Sequence, residues 1–152
     1  MKLDIGGEEK LNAPPQRLWD ALNDPAVLTR CIPGCREMIP DGEDHYRVRL
    51  DLKVASVGGS FEGAITLSEK VEPTSCRITV SGGGTLGQGT GTATFSLQPE
   101  SDTTTLMTYG GEGEIGGLVA GVGQRILKGV AKHLIKRFFD ALKKEIVTAP
   151  AS

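Results

Sequence analysis

A change of period at Gly116-Gly117 constrains this chain more than any other feature. Before it, apolar and polar residues alternate; after it, apolar residues recur every third and fourth position. Period 2 is a strand with one face on a core, and period 3.6 is a helix with one apolar stripe. The alternation is clearest at 45–54, where His45, Arg47, Arg49, Asp51 and Lys53 interleave with Tyr46, Val48, Leu50, Leu52 and Val54. Phe61, Ile65 and Leu67 share one side of the next run, and Cys76, Ile78 and Val80 one side of the run after it. Two longer runs follow, one ending in Ala93, Phe95 and Leu97, the other carrying Met107, Tyr109, Gly111, Gly113 and Ile115. Turn residues separate them at Gly58-Gly59, Glu72-Pro73-Thr74-Ser75, Gly82-Gly83-Gly84 and 99–103. Strands joined in sequence by short turns pair antiparallel.

Residues 117–147 read as one long helix. Its apolar row steps by four through Leu118, Val122, Ile126, Val130, Leu134, Phe138, Leu142 and Ile146. Such a row drifts roughly 40° per turn, which suits a helix crossing a twisted sheet. It is not a membrane span, because Arg125, Lys128, Lys132, Lys136 and Arg137 interrupt any run near the roughly 20 apolar residues required. At the other end, residues 2–11 read as a strand, and Pro14-Pro15 opens a short helix through Asn23. Asp24-Pro25 starts a second short helix that Pro33-Gly34 stops. The expected fold class is α+β: a curved antiparallel sheet wrapped around a long C-terminal helix, with two short helices after the first strand. At 152 residues this is one domain, expected over 1–147 with a flexible tail at 148–152.

Glycine is in excess, 21 of 152 against a usual share of roughly 7%. Gly87, Gly89 and Gly91 are in phase with Ala93, Phe95 and Leu97, and Gly111 and Gly113 with Met107 and Tyr109. Five glycines thus stand where large side chains would fill the core. They leave a sharp strand bend, room for the helix backbone to approach, or a void; an apolar void is what a hydrophobic ligand requires.

Charge is uneven. Residues 1–116 carry 10 Lys and Arg against 17 Asp and Glu, while residues 117–152 carry 7 against 2. By 100° steps Arg125, Lys128, Lys132, Lys136 and Lys143 share one arc of the helix. That arc is either a solvated face or a surface directed at anionic lipid or an acidic partner. The acidic body and scarce aromatics exclude nucleic acid as a partner. Cys31, Cys35 and Cys76 are odd in number and no secretory leader pattern precedes them, so a reducing, cytoplasmic setting with free thiols is expected. His45 and His133 lie in polar contexts with no ligand spacing, and neither a metal site nor a catalytic constellation is expected. Gly111-Glu112-Gly113-Glu114-Ile115-Gly116 matches a dinucleotide-binding pattern, but two carboxylates would face the pyrophosphate and no strand follows to complete a βαβ unit.

The order of elements resembles the helix-grip fold of the START/polyketide-cyclase (SRPBCC) superfamily. Within it, Leu18-Trp19-Asp20-Ala21-Leu22 with Asp24-Pro25, Cys31-Ile32-Pro33-Gly34-Cys35, and Gly123-Gln124-Arg125 leading to Phe138-Phe139 resemble the CoxG family of carbon monoxide dehydrogenase subunits over about residues 1–147. The resemblance implies a non-catalytic accessory protein of a molybdenum CO dehydrogenase-type enzyme. It would hold a quinone or other lipid, with no covalent cofactor, and link the enzyme to the inner face of the cytoplasmic membrane. Trp19, Tyr46, Phe61, Phe95, Met107 and Tyr109 would then line the cavity with Val122 and Ile126. Val48, Leu50, Ile65, Ile78 and Val80 join them from the inward register, with Gly89 and Gly113. Some relatives continue through a linker to a membrane anchor, and such a linker would begin near Thr148. Two other readings stay open: a cyclase/aromatase-type enzyme, for which Tyr109 is the inward candidate with a titratable proton, and a docking adaptor without ligand.

Overall fold

Alternating sequence becomes seven strands in the computed structural model, which describes residues 1–54 and 57–148. They are β1 (Lys2–Leu11), β2 (Cys35–Pro40), β3 (His45–Val54), β4 (Val57–Val71), β5 (Ser75–Gly84), β6 (Gly87–Ser101) and β7 (Thr104–Gly116). All pair antiparallel in one sheet of order β1-β7-β6-β5-β4-β3-β2. From β2 to β7 the sheet is a meander of hairpins; β1 closes onto the far side of β7.

Between β1 and β2 lie helices α1 (Pro15–Leu22) and α2 (Pro25–Cys31). Each has proline in its first turn, where a missing N–H costs nothing. The Asp24 carboxylate caps α2 by accepting from the Ala26 N–H at 2.9 Å. Leu18, Trp19 and Leu22 of α1 are buried, as their spacing predicts. The Thr105 hydroxyl, fully buried on β7, donates to the Ala13 carbonyl at 2.7 Å and fixes the entry to α1.

The C-terminal segment differs from the single helix expected over 117–147. A 3-10 turn spans Leu118–Val122, and helix α3 runs Gln124–Thr148. Gly123 separates them at φ +105°, a conformation outside any right-handed helix. The step-by-four row is therefore not buried throughout: Leu118 is 76% and Ile126 52% exposed. Burial instead follows Leu127, Phe139 and Leu142, flanked by half-buried Val130, Ala131, Leu134, Ile135 and Phe138. Alternating steps of three and four stay on one side of a helix, whereas repeated steps of four turn away from it. Of the expected tail at 148–152, Thr148 ends α3 and the rest lies outside the described residues.

Three apolar clusters hold α3 to the sheet. The largest joins Trp19, Phe95, Leu97 and Met107 to Phe139 and Leu142 near the C-terminal end of α3. A second joins Leu3 and Leu127 at its N-terminal end. The third places Leu28, Met38 and Val48 against Phe138. Arg30 of α2 grips the Glu145 carboxylate with two bonds of 2.7 and 3.1 Å, and its hydrogen bonds hold that carboxyl below its ordinary range. Arg17 donates to the Glu145 and Ile146 carbonyls at 3.4 and 3.3 Å, serving acceptors that the last helical turn leaves open.

Candidate functional site

Register lays the glycines out in rows across the concave face. Val48, Gly63, Gly82, Gly89 and Ile115 are successive partners from β3 to β7. One level along, Ile65, Val80, Gly91, Gly113 and Leu3 are partners, and one further, Ile78, Ala93, Gly111 and Ile5. Large side chains return at the next level, where Phe95 pairs with Tyr109. The missing side chains leave a cavity of about 580 Å³. Its walls draw Leu3 and Ile115 from the second cluster, Ile32 and Val48 from the third, and Ile78 from the largest. A smaller recess of about 240 Å³ shares Leu3, Phe61, Gly89 and Ile115 with it and reaches Leu127, Val130 and Leu134 of α3.

The glycines divide into two kinds. A Cβ on Gly82, Gly111 or Gly113 would sit 2.8, 2.5 or 2.9 Å from a carbonyl oxygen of the neighbouring strand, and one on Gly63 would collide with the Ser81 carbonyl. Those four permit close approach of backbone to backbone. At Gly89 the nearest atoms stand 3.4 and 3.9 Å away, so a side chain there would project into the cavity, whereas at Gly91 the Glu112 carbonyl at 3.3 Å and Val80 Cγ2 at 3.4 Å would have to give slightly. Close backbone approach, here between neighbouring strands, and a void thus occur at different glycines.

The cavity brings together Val48, Leu50, Phe61, Ile65, Ile78, Val80, Gly89 and Gly113 of the expected set. Trp19, Phe95 and Met107 are instead buried in the largest cluster, against which Tyr46 also packs. Tyr109 lies with its ring 5.2 Å from that of Phe139. Val122 packs by Leu3 and Leu127, and Ile126 faces outward. The wall residues outside the expected set include Leu3, Ile5, Ile32, Gly63 and Gly82. Alternation in 2–11 marks the first two, and the phase of Gly63 with Phe61 and of Gly82 with Val80 marks the glycines.

Among the described residues the ionisable ones bordering the cavity are Glu62, Glu112 and Glu114. Their carboxylates are ion-paired, Glu62 with Arg49 at 3.2 Å, Glu112 with Lys2 at 3.9 Å and Glu114 with the N-terminal ammonium at 3.4 Å, and strand alternation sets them opposite the inward register of Phe61, Gly111 and Gly113. Burial raises the Tyr109 hydroxyl above its ordinary range, with Glu9 adding to the effect. Cys31, Cys35 and Cys76 are free thiols. Burial raises all three, Cys31 to about 11, which keeps them protonated. Among the described residues no three His, Cys, Asp or Glu gather as a metal site, and no helix is long and apolar enough to cross a membrane.

Of the basic arc, Lys128, Lys132, Lys136 and Lys143 line a groove of about 690 Å³ between β1 and α3. Arg125 is exposed and outside it. Lys143 pairs with Glu9 and Lys136 with Asp140, each at 3.2 Å.

The sequence model of the CoxG family of carbon monoxide dehydrogenase subunits matches residues 7–147. No curated protein sequence matches. A conserved protein from Geobacillus kaustophilus is similar in structure, with a TM-score of 0.93, 35% identity and 97% of each chain covered. A START superfamily protein from Mycobacterium smegmatis gives a TM-score of 0.72 at 15% identity, covering 97% of this chain and 99% of that one. The ZhuI aromatase/cyclase from Streptomyces sp. R1128 gives 0.70 at 14% identity, covering 98% of each. These last two carry the fold alone, a helix-grip arrangement.

Proposed function

The chain belongs to the CoxG family of carbon monoxide dehydrogenase subunits, an accessory family, and from that premise we propose that it carries an apolar ligand of the quinone class for a molybdenum CO dehydrogenase-type enzyme. The cavity of about 580 Å³, walled by aliphatic side chains and glycine backbone, is the observation that carries the reading. Burying an isoprenoid there gains roughly 0.8 kcal/mol per methylene, which holds it without a catalytic group. A cyclase-type reaction would need a donor and an acceptor converging on the ligand. Tyr109 lies outside the cavity walls, against Phe139, which favours carriage over chemistry.

Peripheral contact with the membrane is part of the same proposal. Exposed Leu118 and Ile126 adjoin Val119 and Leu127, which line the smaller recess, and Arg125 and Lys128 stand beside them in the chain. Apolar residues with neighbouring cations suit an anionic lipid surface. Native mass spectrometry of protein purified from its host tests the ligand: a co-purified mass matching an extractable quinone is expected. Absence of any adduct, together with no uptake of a short-tailed quinone in equilibrium dialysis, would reject it. Sedimentation with anionic and neutral vesicles at two salt concentrations tests the contact, which fails if binding ignores lipid charge.

A further inference from the structure

Among the described residues every ionisable group that borders the cavity is already ion-paired, so a charged end of any amphiphile held there must lie elsewhere. The groove between β1 and α3 adjoins it, because Ile5 belongs to the walls of both. The groove combines an apolar floor of Ile5, Tyr109, Ile135 and Phe139 with a rim of lysines. Two of these are engaged, Lys136 by Asp140 and Lys143 by Glu9. Lys128 and Lys132 make no ion pair among the described residues, and the Tyr109 hydroxyl has no hydrogen-bond partner among them. Asp4 is the remaining acid of the rim, so two unpaired cations face one carboxylate.

We propose that this groove takes the anionic head of an amphiphile, a long-chain carboxylate, whose hydrocarbon chain passes Ile5 into the cavity. Lys128 and Lys132 supply the charge, and the Tyr109 hydroxyl can donate one hydrogen bond to the head. The inference rests on the reading of the cavity as an apolar-ligand site, but not on that ligand being a quinone. It assigns the protein a preference among amphiphiles that a cavity of aliphatic walls alone cannot make, because hydrocarbon contacts do not distinguish an acid from its ester.

The test compares binding of cis-parinaric acid and its methyl ester, read by polyene fluorescence at pH 8 and low salt. The acid is expected to bind about tenfold more tightly, as two partly exposed charge contacts allow. In a Lys128→Gln/Lys132→Gln variant that preference should vanish while ester binding stays unchanged, and salt should narrow it in the wild type. Gly89→Leu should weaken both probes alike. Equal affinity for acid and ester, or a preference that survives in the double variant, overturns the groove assignment and leaves the cavity reading standing. Failure of the wild type to bind either probe overturns both.

Discussion

Replacing Gly89 by leucine puts four carbons where the structure has none. Gly89 lies inside β6 with partners on both sides, and its added Cβ would meet only the Glu114 carbonyl at 3.4 Å and Ile115 Cγ1 at 3.9 Å. The backbone therefore has no need to move. Strand interiors also favour a side chain over glycine by roughly 0.5–1 kcal/mol, so the melting temperature should hold or rise slightly. Inside the cavity the leucine would displace about four methylenes of ligand, a loss of about 3 kcal/mol or roughly two orders of magnitude in Kd. Gly63→Ala is the contrast, because its Cβ runs into the Ser81 carbonyl. That smaller change should cost about 1–3 kcal/mol of stability through overpacking. Thermal melts and equilibrium dialysis against a short-tailed quinone read both variants. Unaltered affinity in a folded Gly89→Leu protein would refute the cavity argument, and a fully stable Gly63→Ala protein would refute the division of the glycines.

Gly123→Ala should cost about 1–2 kcal/mol in urea denaturation, since φ +105° is strained for any L side chain and no neighbouring atom confuses the reading. Glu145→Gln should lower the melting temperature at neutral pH. Because Arg30 lowers the folded-state pKa of Glu145, that stabilisation exists above the ordinary carboxylate range and fades as pH falls through the lowered value. Wild type and variant should therefore converge in acid, and a gap that persists there would contradict the ion pair. Cys31, buried and raised to about 11, should resist iodoacetamide at pH 8 until the protein unfolds; alkylation at the rate of a free thiol would show that the site opens.

Most of the sheet was legible because alternation is local. The residues from His45 to Val54 specify their own strand and its buried face, and β3 spans those residues. The concave glycines could be phased against Phe95 and Met107 for the same reason. The end of the cavity that would stay filled was not legible. Phe95, Met107 and Tyr109 share the inward register with Gly89 and Gly113, and only the crossing point of α3 decides which level it covers. Phe139 and Leu142 seat the helix over the aromatic level, a contact made across dozens of residues of sequence. The break at Gly123 was hidden for a different reason. A glycine between Val122 and Gln124 does not interrupt an apolar row read in steps of four, so its backbone conformation left no mark on the pattern.

The placement of β1 beside β7 bears on how the chain reaches this structure. Every hairpin from β2 to β7 joins neighbours in sequence and can zip as soon as both strands exist. The pairing of Leu11 with Thr105, and of Lys2 with Glu114, must instead close a loop of nearly the whole domain. Its entropic cost grows only slowly with length, but it is incurred before any contact rewards it. During synthesis β1, α1 and α2 wait unpartnered while the meander assembles, exposing Leu3, Leu11, Leu18 and Trp19, all buried at the end. Docking of β1 is thus expected to be the slow phase of refolding, and α3, which packs on β1 and, through Phe139 and Leu142, on Phe95, Leu97 and Met107, to consolidate with it.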